Sequence, residues 1–166
     1  FTYGYDNKTY FFNGGNVFKY NDKQMKIEAD YPKPINDVFK GVPDNIDAVF
    51  TWAKDGVTYF FKGDKYYKYN DKKQAIESGY PRDTKDRWID FPTPISAIFS
   101  LDFSLGEQTG DSHPTYVIDG GGQSYYVDPV TDALKSPKPI DERFKGMFDL
   151  ENMDTATATA AAATTA

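Results

Sequence analysis

One histidine, no cysteine and a wide scatter of aspartates bound the chemistry open to this 166-residue chain. Without cysteine there is no thiol nucleophile, disulfide framework, thiolate-bound zinc or iron–sulfur cluster. His113 lies in the segment SLGEQTGDSHP (Ser104–Pro114), where an imidazole could ligate a metal or a heme iron. With no second ligand beside it, the ordinary reading is an exposed loop residue. Asp22, Asp30, Asp37, Asp44, Asp55, Asp83, Asp86 and Asp90 fall mainly at turns, where aspartate caps backbone amides, and no pair of them is assignable as general acid and base. Lys62, Lys65, Lys68, Lys72 and Lys73 form a basic stripe that reads either as a polyanion site or as a solvated strand edge guarded against aggregation. No G-x-S-x-G, P-loop, H-E-x-x-H or glycine-rich dinucleotide motif occurs, so the sequence argues for a protein that is not an enzyme.

The net charge of −6 gives a long-range field that repels phosphate backbones and anionic membranes, which excludes nucleic acid as a natural partner. No apolar run approaches the roughly 18–20 residues needed to span a bilayer as a helix. The opening FTYGYDNKTY has neither the basic start nor the apolar stretch of a signal peptide, and reads as the inside of a folded element. Hydrophobic content is only 39%, but 13 Tyr and 13 Phe raise the aromatic share to 17%, so each ring can bury a large area in one domain-sized core.

The positioning framework is a repeat. Displacing the chain on itself by 49 residues aligns Phe1–Pro43 with Phe50–Pro92 without a gap, and 19 of the 43 pairs are identical. Unrelated sequences of ordinary composition match at about one position in fifteen to twenty. TYFF at Thr9–Phe12 returns at Thr58–Phe61, and KYNDK at Lys19–Lys23 returns at Lys68–Lys72. A third copy opens at ISAIF (Ile95–Phe99), answering IDAVF (Ile46–Phe50). It carries an insertion at Ser104–Asp111, then TYVIDG (Thr115–Gly120) and PIDERFKG (Pro139–Gly146), the latter answering PINDVFKG (Pro34–Gly41).

Each unit predicts four short strands, in unit two IDAVFTW, VTYFFKG, KYYKYND and a weaker segment near QAIES, separated by Gly, Asp and Asn at hairpin spacing. A proline-started helical turn follows, with Ile35 and Phe39 four apart on one face. Four-stranded units of 40–50 residues are the mark of a β-propeller, because a twisted sheet with two apolar faces must pack against neighbours to dry both. Phe11, Phe12, Phe50, Phe60, Phe61 and Phe99 are accordingly expected between blades, the alternative being an aromatic platform for a sugar or heme.

With I-D-A-V-F, then Y-F-F-K-G-D-K-Y-Y-K-Y, then G-Y-P and a closing aromatic in order, the chain resembles the hemopexin-like repeat over residues 1 to about 147. The resemblance implies an all-β, four-bladed propeller in a single domain, 1–166, with blade 1 at 1–45, blade 2 at 46–94, blade 3 at 95–152 and the start of blade 4 at 153–166. Three blades are clear in the sequence; the fourth is not recognisable. The first unit lacks its I-D-A opening, and the cysteine pair common in animal domains is absent. Met153-Asp154-Thr155-Ala156 stands where Ile46-Asp47-Ala48-Val49 would open a blade, and the Ala/Thr run after it is expected to stand in for a fourth-blade sequence yet to be determined.

In such a propeller the first strand of each blade lines a central channel, so rings of carbonyl oxygens and amides can face its axis. The family implies a Ca2+ or Na+ on the main-chain oxygens of Asp47, Ser96 and Asp154, and a chloride on the main-chain nitrogens of Val49, Ile98 and Ala156. Alone, Asp47 would read as a strand-start or turn aspartate; the repetition reverses that preference. The resemblance further implies a stand-alone binding protein of the seed-albumin kind, extracellular or in a seed storage compartment. Its small-molecule ligand would be heme, with His113 or a tyrosine as axial candidate, or a polyamine at an acidic channel mouth. A homodimer is compatible with this. The alternatives are a lectin or protein-adhesion module recognising a glycan, and the hemopexin-like domain of a secreted metalloproteinase, which ranks below the others because no H-E-x-x-H segment precedes it.

Overall fold

The computed structural model describes residues 1–52, 54–100 and 114–144. They form three antiparallel sheets, one per repeat. The first holds β1 (Thr2–Tyr3), β2 (Lys8–Asn13), β3 (Asn16–Asn21), β4 (Lys26–Ile27) and β5 (Lys33–Pro34). The second holds β6 (Ala48–Trp52), β7 (Val57–Lys62), β8 (Lys65–Asn70), β9 (Ala75–Ile76) and β10 (Arg82–Asp83). The third holds β11 (Ile95–Ser100), β12 (Thr115–Asp119), β13 (Gln123–Val127) and β14 (Leu134–Pro139). Each sheet starts with its own first strand, and β6 lies against both β1 and β11, so the first strands gather at one side as the inner strands of neighbouring blades do. Among the described residues no helix is long and apolar enough to cross a membrane.

The turns explain why the repeats fold alike. Gly14 and Gly63 occupy the same place in units one and two with φ of 61° and 57°, a left-handed conformation that costs glycine little and closes a two-residue hairpin. Before the second strand, the Asp6 carboxylate accepts from the Lys8 amide and from the Tyr10 hydroxyl (2.7 Å), and Asp55 does the same for the Val57 amide and the Tyr59 hydroxyl (2.8 Å). One aspartate thus closes the turn and satisfies a buried phenol, which otherwise would cost about 1–3 kcal/mol. The helical turn after the sheet is α1 (Ile35–Val38) in unit one and α2 (Ile140–Arg143) in unit three, with a 3-10 turn, Thr84–Asp86, in unit two. As its spacing predicts, Ile35 and Phe39 are both buried, and the Phe39 amide donates to the Ile35 carbonyl at 2.7 Å.

Two aromatic cores fill the two seams between sheets. Tyr3, Tyr10, Val17, Ile35 and Phe39 of unit one meet Phe60 and Tyr69 of unit two. Across the other seam, Trp52, Tyr59, Phe61, Tyr66 and Trp88 meet Val117 and Val127. Adjacent residues of β7 therefore serve opposite seams: Phe60 faces the first and Phe61 the second, as strand alternation requires.

Two expectations need correction. The first two sheets have five strands rather than four, because the fourth segment is split into β4 and β5, or β9 and β10. Each split spans a Tyr-Pro dipeptide, and proline cannot donate to a ladder. The other concerns Phe11, which does not lie between sheets: it is 51% exposed, because the face of β2 it stands on meets no described sheet. Phe50, Phe60 and Phe61 are buried as expected, while Phe12 and Phe99 are only partly covered. Phe99 finds its ring contacts in its own unit, against Tyr116 and Phe144.

Candidate functional site

The inner strands bring four of the expected channel residues to one place. Asp47, Val49, Ser96 and Ile98 line a single cavity of about 280 Å³, whose remaining wall includes Phe1 and Phe11. Register explains the convergence. Val49 lies opposite Phe60 on β7 and Ile98 opposite Val117 on β12, equivalent rungs of two repeats, and β6 packs beside β11.

The aspartate's side chain is already engaged. Its Oδ2 accepts from the Gly63 amide at 2.6 Å, closing the β7–β8 turn, while its own amide donates to the Phe61 carbonyl at 2.8 Å. At Ser96 the ladder is irregular: Ile95 pairs with Asp119 and Ala97 with Ile118, leaving Ser96 unpaired as in a β-bulge. Asp47 carries the sole charged side chain among the described lining residues. Among the described residues no three His, Cys, Asp or Glu cluster as a metal cage would require. Asp154, Ala156 and His113 lie outside the described residues, so the third member of each ring and the heme candidate have no position here.

The basic stripe does not persist as one surface. Lys62 donates to the Asp44 carbonyl (2.7 Å), Lys65 pairs with Asp83 (2.7 Å), and Lys68 sits 3.5 Å from Glu77, leaving Lys72 and Lys73 exposed. The Lys65 ammonium holds the Asp83 carboxyl below its usual range. This is the chemistry of an edge laced by ion pairs rather than a polyanion track.

Sequence reasoning passed over Arg87. Its guanidinium lies 4.8 Å from the Trp52 ring, 5.0 Å from Tyr59 and 5.1 Å from Trp88, and donates to the Tyr59 hydroxyl at 2.7 Å. It also approaches Asp132 of the third unit at 3.6 Å. The signal was available, since Arg87 stands 49 residues after Val38, where the first repeat has an apolar residue. A cation at a core position of a repeat implies aromatic faces and a carboxylate around it. Burial, and then the hydrogen bond to Asp55, push the Tyr59 phenol well above its ordinary value of 10.0.

Comparison with known proteins agrees with this architecture. One curated relative is the interstitial collagenase of Equus caballus, 44% identical over 43 residues, which are 26% of this chain and 9% of that protein. The chain thus spans about a tenth of the length of the curated relatives it matches. Among solved structures, the hemopexin fold protein CP4 from cow pea superposes with a TM-score of 0.62 at 21% identity, over 86% of this chain and 68% of that one. The 2S albumin seed protein from Dolichos gives 0.63 at 22%, over 86% and 68%. A plant lectin with two metal binding sites from Cicer arietinum gives 0.61 at 19%, again over 86% and 68%. The family model described as Hemopexin matches residues 1–44 and 46–93, more than half of the sequence. Repeat, sheet order and family match converge: the chain belongs to the hemopexin family, whose domains are four-bladed propellers, and its described residues supply three of the blades.

Proposed function

We propose that this chain is a non-catalytic binding propeller that holds a hard cation, Ca2+ or Na+, and a chloride along its axis, and binds a small ligand with the body so stiffened. The observation that carries the reading is the convergence of Asp47, Val49, Ser96 and Ile98 on one cavity. Hard cations take oxygen ligands, and the main-chain oxygens of Asp47 and Ser96 would supply two of them, with Asp154 as the third position. The amides of Val49 and Ile98, with Ala156, would hold the anion. When bound, such ions compensate the backbone dipoles that converge from several inner strands, and their role is to hold blades together. The cavity of about 280 Å³ falls below the roughly 300–1,000 Å³ of small-molecule sites, so the hub suits ions and water, and heme or a polyamine would bind elsewhere on the body. A polyamine gains from the net charge of −6. That an albumin and a metal-binding lectin share the fold supports a binding role without fixing the ligand.

The test is thermal unfolding after dialysis against a chelator. Adding CaCl2 or NaCl to about 10 mM should raise the midpoint by several degrees, as expected of anything that binds only the folded state. Ser96→Asp, which restores an acid to the ring, should strengthen the Ca2+ effect. A midpoint indifferent to Ca2+, Na+ and Cl− overturns the ion reading. Heat on titrating spermine, or a Soret shift with hemin, supports the small-ligand part; the absence of both removes it in favour of the second reading. That reading, a lectin or adhesion module, draws on a recess away from the hub, where an exposed tyrosine stands over polar side chains.

A further inference from the structure

The two seams between sheets end differently at the side opposite the hub turns. At the seam of sheets two and three, the β6–β7 turn meets the β13–β14 turn and is closed by ions: Lys54 reaches Asp132 at 2.5 Å, and Arg87 approaches the same carboxylate at 3.6 Å. At the seam of sheets one and two, the corresponding β1–β2 turn meets the β8–β9 turn. There Tyr5 occupies the repeat position of Lys54, 49 residues earlier. Among the described residues no ion pair closes this end. Instead Tyr5 is 62% exposed and stands beside a recess of about 440 Å³ whose other walls include Lys68, Asn70, Asp71, Lys72 and Glu77.

Three properties of this recess point to one ligand class. Its base is fixed: the ring of Tyr5 packs on Tyr3 with centroids 5.9 Å apart, and the Tyr3 hydroxyl donates to Asp71 Oδ1 at 2.6 Å, with Gln74 donating to the same hydroxyl. Its polar groups are held in register, since Asn70 Nδ2 donates to Glu77 Oε1 at 3.1 Å and Lys68 lies 3.5 Å from Glu77 Oε2. Its charge balances, two lysines against Asp71 and Glu77, so neither a polyanion nor a polycation gains net attraction. A rigid exposed aromatic ring above alternating donors and acceptors, with no net charge, matches a neutral polyhydroxylated ring: the apolar face of a pyranose stacks on the phenol while its hydroxyls exchange hydrogen bonds with the floor. The volume lies within the range of sites that hold a small molecule.

We infer that the Tyr5 recess is a saccharide subsite for a neutral pyranose, with Tyr5 as its stacking platform and Asn70, Lys72 and Glu77 as its polar contacts. This deepens the lectin reading above and rests on it.

The experiment is saturation-transfer NMR of the full chain with methyl α- and β-glycosides of glucose, galactose, mannose and N-acetylglucosamine, beside the same chain with Tyr5→Ala, Tyr5→Trp and Val130→Ser. Saturation transfer to at least one glycoside is expected for the unsubstituted chain. Tyr5→Ala should weaken it about tenfold, the scale of one lost aromatic contact. Tyr5→Trp should retain it, and Val130→Ser, at an exposed apolar side chain elsewhere, should leave it unchanged. Binding that survives Tyr5→Ala undiminished overturns this subsite while leaving the lectin reading standing. No transfer from any of the glycosides overturns both.

Discussion

The tetrapeptide Thr-Tyr-Phe-Phe occurs twice in this chain at the same place in its hairpin and with the same pairing register, and its two copies live in different surroundings. In β7, Thr58, Tyr59, Phe60 and Phe61 are all buried. In β2, Thr9 and Phe12 are half-buried, Tyr10 is buried and Phe11 is 51% exposed. The four residues and their register are constant, so the difference follows chiefly what the flanking sheets contribute. Sheet two has a described neighbour on each face; sheet one has such a neighbour on a single face. A propeller strand is written for two-sided burial whether or not both sides are met, and the unmet side shows up as one phenylalanine in solvent.

The largest expected effect comes from truncating the same ring in both contexts. Phe60→Ala should destabilise by about 3–5 kcal/mol, the cost of a fully buried phenylalanine with its cavity, whereas Phe11→Ala should cost under about 1 kcal/mol. Urea unfolding of the two variants checks this. Equal losses would break the comparison, by showing that the free face of sheet one is covered in solution.

The tyrosines sharpen it at intermediate size. The Tyr59 hydroxyl donates to Asp55 and accepts from Arg87, while that of Tyr10 donates to Asp6. Tyr59→Phe should therefore cost about 2 kcal/mol and Tyr10→Phe about 1 kcal/mol. Both phenols are raised above the ordinary 10.0, chiefly by burial and then by their aspartate partners. A neutral phenol with a raised native value contributes stability that is complete below pH about 10 and is lost as pH climbs beyond it. The chain should thus unfold in alkali as these hydroxyls ionise, and absorbance at 295 nm should rise in step with loss of circular dichroism. Ionisation of all tyrosines near pH 10 with the fold intact would contradict the buried placement.

The smallest difference belongs to the threonines. Thr58 is fully buried and its hydroxyl meets that of Thr51 at 2.9 Å, while Thr9 and Thr2 are 3.4 Å apart at a more open edge. Thr58→Val is expected to cost about 1 kcal/mol and Thr9→Val within about 0.5 kcal/mol of nothing. Parallel unfolding curves resolve the pair.

Much of this architecture was legible before any coordinates. The 49-residue displacement gave three units, the turn residues gave hairpins, and Ile35 with Phe39 gave the helical turn, because hydrogen-bond closure and strand alternation are local and the repeat states them several times. The candidate hub was legible only in part. Asp47, Ser96, Val49 and Ile98 could be named by position, but that the Asp47 carboxylate is engaged by Gly63, and that Ser96 falls out of the ladder, depends on pairing between strands. The ring around Arg87 was readable in principle from a charge replacing Val38, yet of its three aromatic partners only the adjacent Trp88 is supplied by the linear order, while Trp52 of β6 and Tyr59 of β7 reach it through the fold.

By itself the sequence determined the unit: its strands, its turns, its period, its family and the residue types facing inward. Those follow from backbone sterics and side-chain alternation, which act over a few residues at a time. Tertiary structure alone decided which copy of an identical segment is dry, which seam is locked by Lys54 and Asp132, and which is left open beneath Tyr5. Burial and charge pairing are properties of what stands opposite, and in a repeat protein what stands opposite is another unit whose surface the local sequence does not encode.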